Sequence, residues 1–153
     1  MTGMRTDIQK KERIQHLAKQ ILDASFELSI LVGEVTVSTD IVIEAMKNTF
    51  RGISVQNVLD RYRPITQKQG RFKGDQERES TIRHAARYLF NQFSNMSMEK
   101  IGDITGSIDH SSVSRSIKKA KDLIDSDENF RKKIDNCRTL IRKYYYERNQ
   151  VSG

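Results

Sequence analysis

The stretch Asp109-His110-Ser111-Ser112-Val113 gathers an acid, an imidazole and two hydroxyls at the start of a predicted helix, with Arg115 and Lys118 one and two turns further on. Short hydroxyl residues in a first turn, followed by cations, suit hydrogen bonding to base edges in a major groove. The same helix end attracts phosphate. At about 100° per residue, Val113, Ile117, Ala120 and Ile124 form one apolar stripe, and Ser111, Arg115 and Lys118 lie opposite it. An ordinary amphipathic helix with a solvated polar face fits this spacing equally well, so the surrounding elements must decide.

Those elements read as a helix-turn-helix. Ser97 is placed to cap a short helix with Met98, Ile101 and Ile104 inside, Gly106 permits a tight turn, and Asp109 caps the helix that follows. Upstream, a helix from about Ser80 to Phe93 directs Ile82, Ala85, Ala86, Leu89 and Phe93 to the core. Its Arg83 and Arg87 share another face, either solvated or bound to phosphates. Shorter helices are expected from Asp40 to Arg51 and from a Ser54 cap through Val55, Val58 and Leu59. A last helix should run from Asp127 through Phe130, Ile134, Cys137, Leu140 and Ile141 to Tyr144-Tyr145-Tyr146, closing the core with at least one tyrosine buried and another exposed. With a single proline and helical periodicity nearly throughout, the expected fold is an all-α bundle.

Between these elements, Arg61 to Lys73 holds five cations and reads as a mobile basic loop, ahead of the helix expected from about Ser80. Such a segment is either a solvated insertion or an arm whose arginines enter a narrow minor groove.

The N-terminal segment, Thr6 to Gly33, places Ile14, Leu17, Ile21, Ala24, Leu28 and Leu31 at alternating spacings of three and four, a heptad seam. Leu22, Phe26 and Ile30 widen its apolar surface. Two uses remain open, docking onto the main domain and homodimerisation through residues 8–32. We therefore divide the chain into an N-terminal amphipathic helix, 1–36, and a domain, 37–153.

Charge separates these parts. The 153-residue chain carries +7 net; residues 1–36 hold five Lys/Arg and five Asp/Glu, leaving twenty-two against fifteen in 37–153. A basic domain favours nucleic acid through phosphate neutralisation and counterion release. A lone cysteine, Cys137, excludes an intramolecular disulfide, and no Cys/His spacing fits a zinc site. No signal-peptide pattern or long apolar run is present, so we expect no membrane association and a cytoplasmic, nucleoid-associated location in a bacterium or phage-infected host.

From His84 to Lys121 the chain resembles the C-terminal DNA-binding domain of the bacterial replication initiator DnaA. The resemblance lies in Ala86-Arg87-Tyr88-Leu89, Ser94-Asn95-Met96-Ser97, Ile101-Gly102-Asp103 and above all Asp109-His110-Ser111-Ser112-Val113. It extends upstream through Ile41-Val42-Ile43-Glu44 to Phe50 and Ser54 to Arg63, covering roughly residues 38–145. In that family the motif reads Asp-His-Thr-Thr-Val and reaches bases. The resemblance therefore implies double-stranded DNA as partner, base contacts from Asp109, His110, Ser111 and Ser112, and minor-groove entry by Arg61 and Arg63. Phosphate contacts are expected from Arg83, Ser97, Lys100, Arg115, Lys118 and Lys119.

The chain departs from the family pattern at several points. Serines replace both threonines, removing methyls that pack on thymine, so a different or looser sequence preference is expected. Ile108 stands where the family has arginine, and Gln67 to Gly74 lengthen the basic loop. No Gly-x-x-x-x-Gly-Lys-Ser/Thr loop occurs, so the initiator's ATPase module has no counterpart in this sequence.

His16, His84 and His110 fall on different predicted elements, with no nucleophile elbow or paired carboxylates, so no enzymatic activity, cofactor, metal or small-molecule substrate is expected. Two functional readings follow. One is sequence-preferring DNA binding in replication-origin or transcription control. The other is a protein-interaction or oligomerisation module that keeps the fold with weak or no specific DNA binding.

Overall fold

The computed structural model describes residues 2–60 and 73–151, and the side chains of 6–60 and 78–149. All seven elements among the described residues are α-helices, in agreement with the all-α expectation. The chain divides into two compact units, Met1–Val35 and Thr36–Gly153.

The first unit is one helix, α1 (Thr2–Leu31). It ends on Gly33, whose φ of 83° is the left-handed conformation that closes a helix C-terminus. The Glu34 amide returns to the Ser29 carbonyl at 2.9 Å, satisfying one of the last carbonyls. Ile14, Leu17, Ile21, Leu28 and Leu31 are exposed, whereas Phe26 and Ile30 are buried.

The second unit holds α2 (Thr39–Thr49), α3 (Val55–Asp60), α4 (Lys73–Phe93), α5 (Met98–Ile104), α6 (His110–Ser126) and α7 (Glu128–Val151). α4 is its axis, packing against α2, α3, α5 and α6, while α7 packs on α2 and α6. The reason is its sequence: Ile82, Ala85, Ala86, Leu89, Phe90 and Phe93 are all buried, giving α4 an apolar surface wide enough for several neighbours. Ile41, Val42, Ala45 and Met46 supply the facing side of α2, and Phe130, Ile134, Cys137 and Ile141 that of α7. The extended residues before α2 are tied in by the Val37 amide, which donates to the Phe93 carbonyl at 3.0 Å.

Two expectations need correction. Helix α4 begins at Lys73 rather than near Ser80, so it is longer at its N-terminus than expected. Residues 73–79 contain no apolar side chain, which hides them from a periodicity argument. Arg78 helps fix this extension by donating to the Arg51 carbonyl at 3.5 Å. In the tyrosine cluster none is fully buried: Tyr144 and Tyr145 are half-buried and Tyr146 is exposed. Tyr144 is held by its hydroxyl, which accepts from Asn48 at 2.8 Å, and Tyr145 and Tyr146 meet edge to face.

Candidate nucleic-acid interface

The site is built on α5, a five-residue turn and α6. Both predicted caps are formed. The Ser97 hydroxyl accepts from the Lys100 amide at 3.2 Å, and Asp109 Oδ1 accepts from the Ser112 amide at 2.8 Å, so each helix start is fixed by its own side chain. Between them Gly106 and Ser107 both have positive φ, 112° and 56°. Glycine takes that conformation without strain, and its neighbour follows it round the turn.

Gly102 is what lets the turn close. A Cβ there would collide with the Ile108 carbonyl oxygen and press on Val113 Cγ2 at 3.3 Å. The Ile108 amide donates to the Gly102 carbonyl at 3.2 Å, so the returning backbone lies directly against α5. This glycine sets how closely α6 packs.

A buried polar network then fixes α6 against α4. Arg87, only 5% exposed, donates from Nε to Thr105 Oγ1 at 3.1 Å, from Nη2 to the Thr105 carbonyl at 2.7 Å and from Nη1 to Ser116 Oγ at 3.1 Å. Thr105 Oγ1 donates to the Ile101 carbonyl at 2.6 Å, and Ser116 Oγ lies 2.6 Å from His84 Nδ1. Burial, followed by the charges of Arg87, Lys119 and Arg83, lowers the pKa of His84 to about 4. The ring is therefore neutral at pH 7, and its Nδ1 shares a hydrogen bond with the Ser116 hydroxyl inside the network. Arg87 is thus not a phosphate ligand on an open face: it is the internal clamp of the α4, α5 and α6 junction.

With Val113, Ser116, Ile117 and Ala120 facing inward, the outer side of α6 presents His110, Ser111, Ser114, Arg115, Lys118, Lys119 and Lys121, all exposed. Ser112 is half-buried at the edge of this surface. Asp122 and Asp125, also exposed, confine the positive charge to the N-terminal part of the helix. The Ser112 amide, then its hydroxyl, hold the fully exposed Asp109 carboxyl below the usual carboxylate range. Asp109 is therefore a cap as well as an exposed acceptor.

The remaining expected contact residues are spread around this helix. Ser97 and Lys100 are exposed at the start of α5. The Arg83 side chain is 12% exposed and 3.6 Å from Glu79. Arg61 and Arg63 lie outside the described residues. Sequence reasoning passed over Ser114, whose exposure follows from its position on the Ser111 face. It also passed over the partners of Arg87, although Ser116, a polar residue inside an apolar stripe, was a signal.

Among the described residues, no group of three His, Cys, Asp or Glu is placed to hold a metal ion. His16, His84 and His110 sit on α1, α4 and α6. Among the described residues, no helix is long and apolar enough to cross a membrane.

The chain is similar to the chromosomal replication initiator protein DnaA of Aliarcobacter butzleri (strain RM4018), with 40% identity over 68 residues. That stretch is 42% of this chain and 16% of the relative, so the similarity marks a DnaA-related region within a much longer protein. No family model matches the chain, and no solved structure matches it.

Proposed function

We propose that the second unit is a helix-turn-helix module that binds duplex DNA with sequence preference, in replication-origin or transcription control and without enzymatic activity. The observation that carries this reading is the outer face of α6, where Ser111, Ser114, Arg115, Lys118 and Lys119 stand exposed beyond a capped N-terminus. The similarity to a replication initiator supports it.

In this reading α6 enters the major groove. Asp109, His110, Ser111 and Ser112 meet base edges, and Arg115, Lys118 and Lys119, with Arg83, Ser97 and Lys100, meet phosphates. Asp109 and the Ser112 hydroxyl offer acceptors at the exposed start of α6. Acceptors at both positions read cytosine N4 or adenine N6. Arg61 and Arg63 would enter the adjoining minor groove, and such a protein would sit on the nucleoid in the cytoplasm.

Selection of duplexes from a random pool, then fluorescence anisotropy at about 150 mM salt, tests this, because screening there suppresses loose association. Nanomolar binding at least about a thousandfold tighter than random duplex supports specific recognition. Sequence-blind binding that disappears with salt rejects it.

A second reading rests on α1, whose exposed Ile14, Leu17, Ile21, Leu28 and Leu31 suit a protein partner. There the chain is an interaction or oligomerisation module, with homodimerisation through residues 8–32.

A further inference from the structure

Helix α1 carries an apolar seam with a pattern of charge along its length. In heptad positions, Ile14, Ile21 and Leu28 occupy a, and Leu17, Ala24 and Leu31 occupy d. Five of these six are large apolar residues between 43% and 82% exposed, while Phe26 and Ile30, at non-seam positions, are buried. Charge changes sign along the helix: residues 6–20 hold four Lys/Arg and two acids, and residues 21–35 hold three acids and no cation.

We propose that α1 pairs with α1 of a second copy of this chain in antiparallel orientation, which rests on the reading of α1 as an association element and specifies its geometry. Three arguments select this occupant and direction. An antiparallel partner lays the basic half of each helix beside the acidic half of the other, and opposes the two helix dipoles. At the seam's flanks it places Arg13, a g position, on the same side as Glu27 of the second copy, also a g position, twice by symmetry. A parallel pair would instead set Arg13, Gln20 and Glu27 beside Ala18, Ser25 and Val32, with no opposite charges meeting.

Packing favours the same direction. Antiparallel layers match Ile14 with Leu31, Leu17 with Leu28 and Ile21 with Ala24, so the small residue always faces a large one. A parallel pair would stack Ala24 on Ala24 and leave a void in the middle of the seam. The resulting dimer carries two copies of the second unit.

The test uses the full chain without DNA, so its outcome is independent of whether the second unit binds duplex. Sedimentation gives the mass, and oxidation of mixed chains carrying Leu17→Cys or Leu28→Cys, distinguishable by a tag, gives the direction. The native Cys137 is buried and does not compete. We expect a dimer at micromolar concentration, loss of dimer in Ile21→Glu with helicity of the second unit retained, and disulfides mainly between Leu17→Cys and Leu28→Cys chains. A monomer at these concentrations overturns the proposal. So does a dimer that cross-links mainly Leu17→Cys to itself, which is the parallel arrangement, or one that survives Ile21→Glu unchanged.

Discussion

Arg87 on α4 donates to the hydroxyl of Ser116 on α6 at 3.1 Å, which ties the central helix to the inner side of the helix proposed to read DNA. The same guanidinium holds both the hydroxyl and the carbonyl of Thr105 at the end of α5. One buried side chain therefore sets the mutual angle of three helices, and the interface depends on a residue that does not belong to it.

Replacing this clamp should be costly. Arg87→Met removes three donors from buried acceptors, an effect of about 2–4 kcal/mol. Urea denaturation should show a lower midpoint with an unchanged slope, and Arg87→Lys should rescue little because an ammonium cannot fork to Thr105 and Ser116.

Acid should weaken the fold through His84. Its folded pKa, about 4, lies below the ordinary histidine value of 6.5, so the unfolded chain binds more protons between these limits. Stability is therefore complete above about pH 6.5 and falls as pH drops toward 4, by on the order of 1–2 kcal/mol once solvent screening of a partly exposed ring is allowed for. Below that pH both states are protonated and this loss stops growing. Urea midpoints from pH 7.5 to pH 4 should fall less steeply in His84→Gln than in the wild type.

Gly102 should tolerate no side chain. The colliding atom for a Cβ is the Ile108 backbone oxygen, which cannot rotate away. Gly102→Ala should cost about 2 kcal/mol or more and should loosen α6, read as lost hydrogen-exchange protection in α5 and α6.

Much of this site was legible in the sequence, for a physical reason. Ser97 and Asp109 are local caps whose hydrogen bonds close within three residues, and Val113, Ile117 and Ala120 declare the inner face of α6 by spacing alone. Arg87 was misassigned because its partners come from two other helices, so no local pattern reports them. Gly102 was read only as part of a motif, since its role depends on where the backbone returns six residues later. The first turns of α4 were missed because they carry no apolar residue. The exposed seam of α1 was legible as a seam, and its sign change gives it a direction.

Asp109 offers a way to separate folding from recognition. Asparagine caps helices as well as aspartate, so Asp109→Asn should keep the melting temperature of the wild type while Asp109→Ala lowers it. If the carboxylate also accepts from a base, Asp109→Asn should still lose affinity for the preferred duplex, measured by anisotropy.

Recognition of DNA by α6 is tested by comparing Ser111→Ala, Ser112→Ala, Arg115→Ala and Lys118→Ala on the preferred duplex and on random duplex across a salt series. Each serine variant should lose about 1–3 kcal/mol on the preferred site only, while each cation variant should weaken both duplexes alike and lower the salt slope by about one. If all four variants bind both duplexes as the wild type does, α6 does not read DNA.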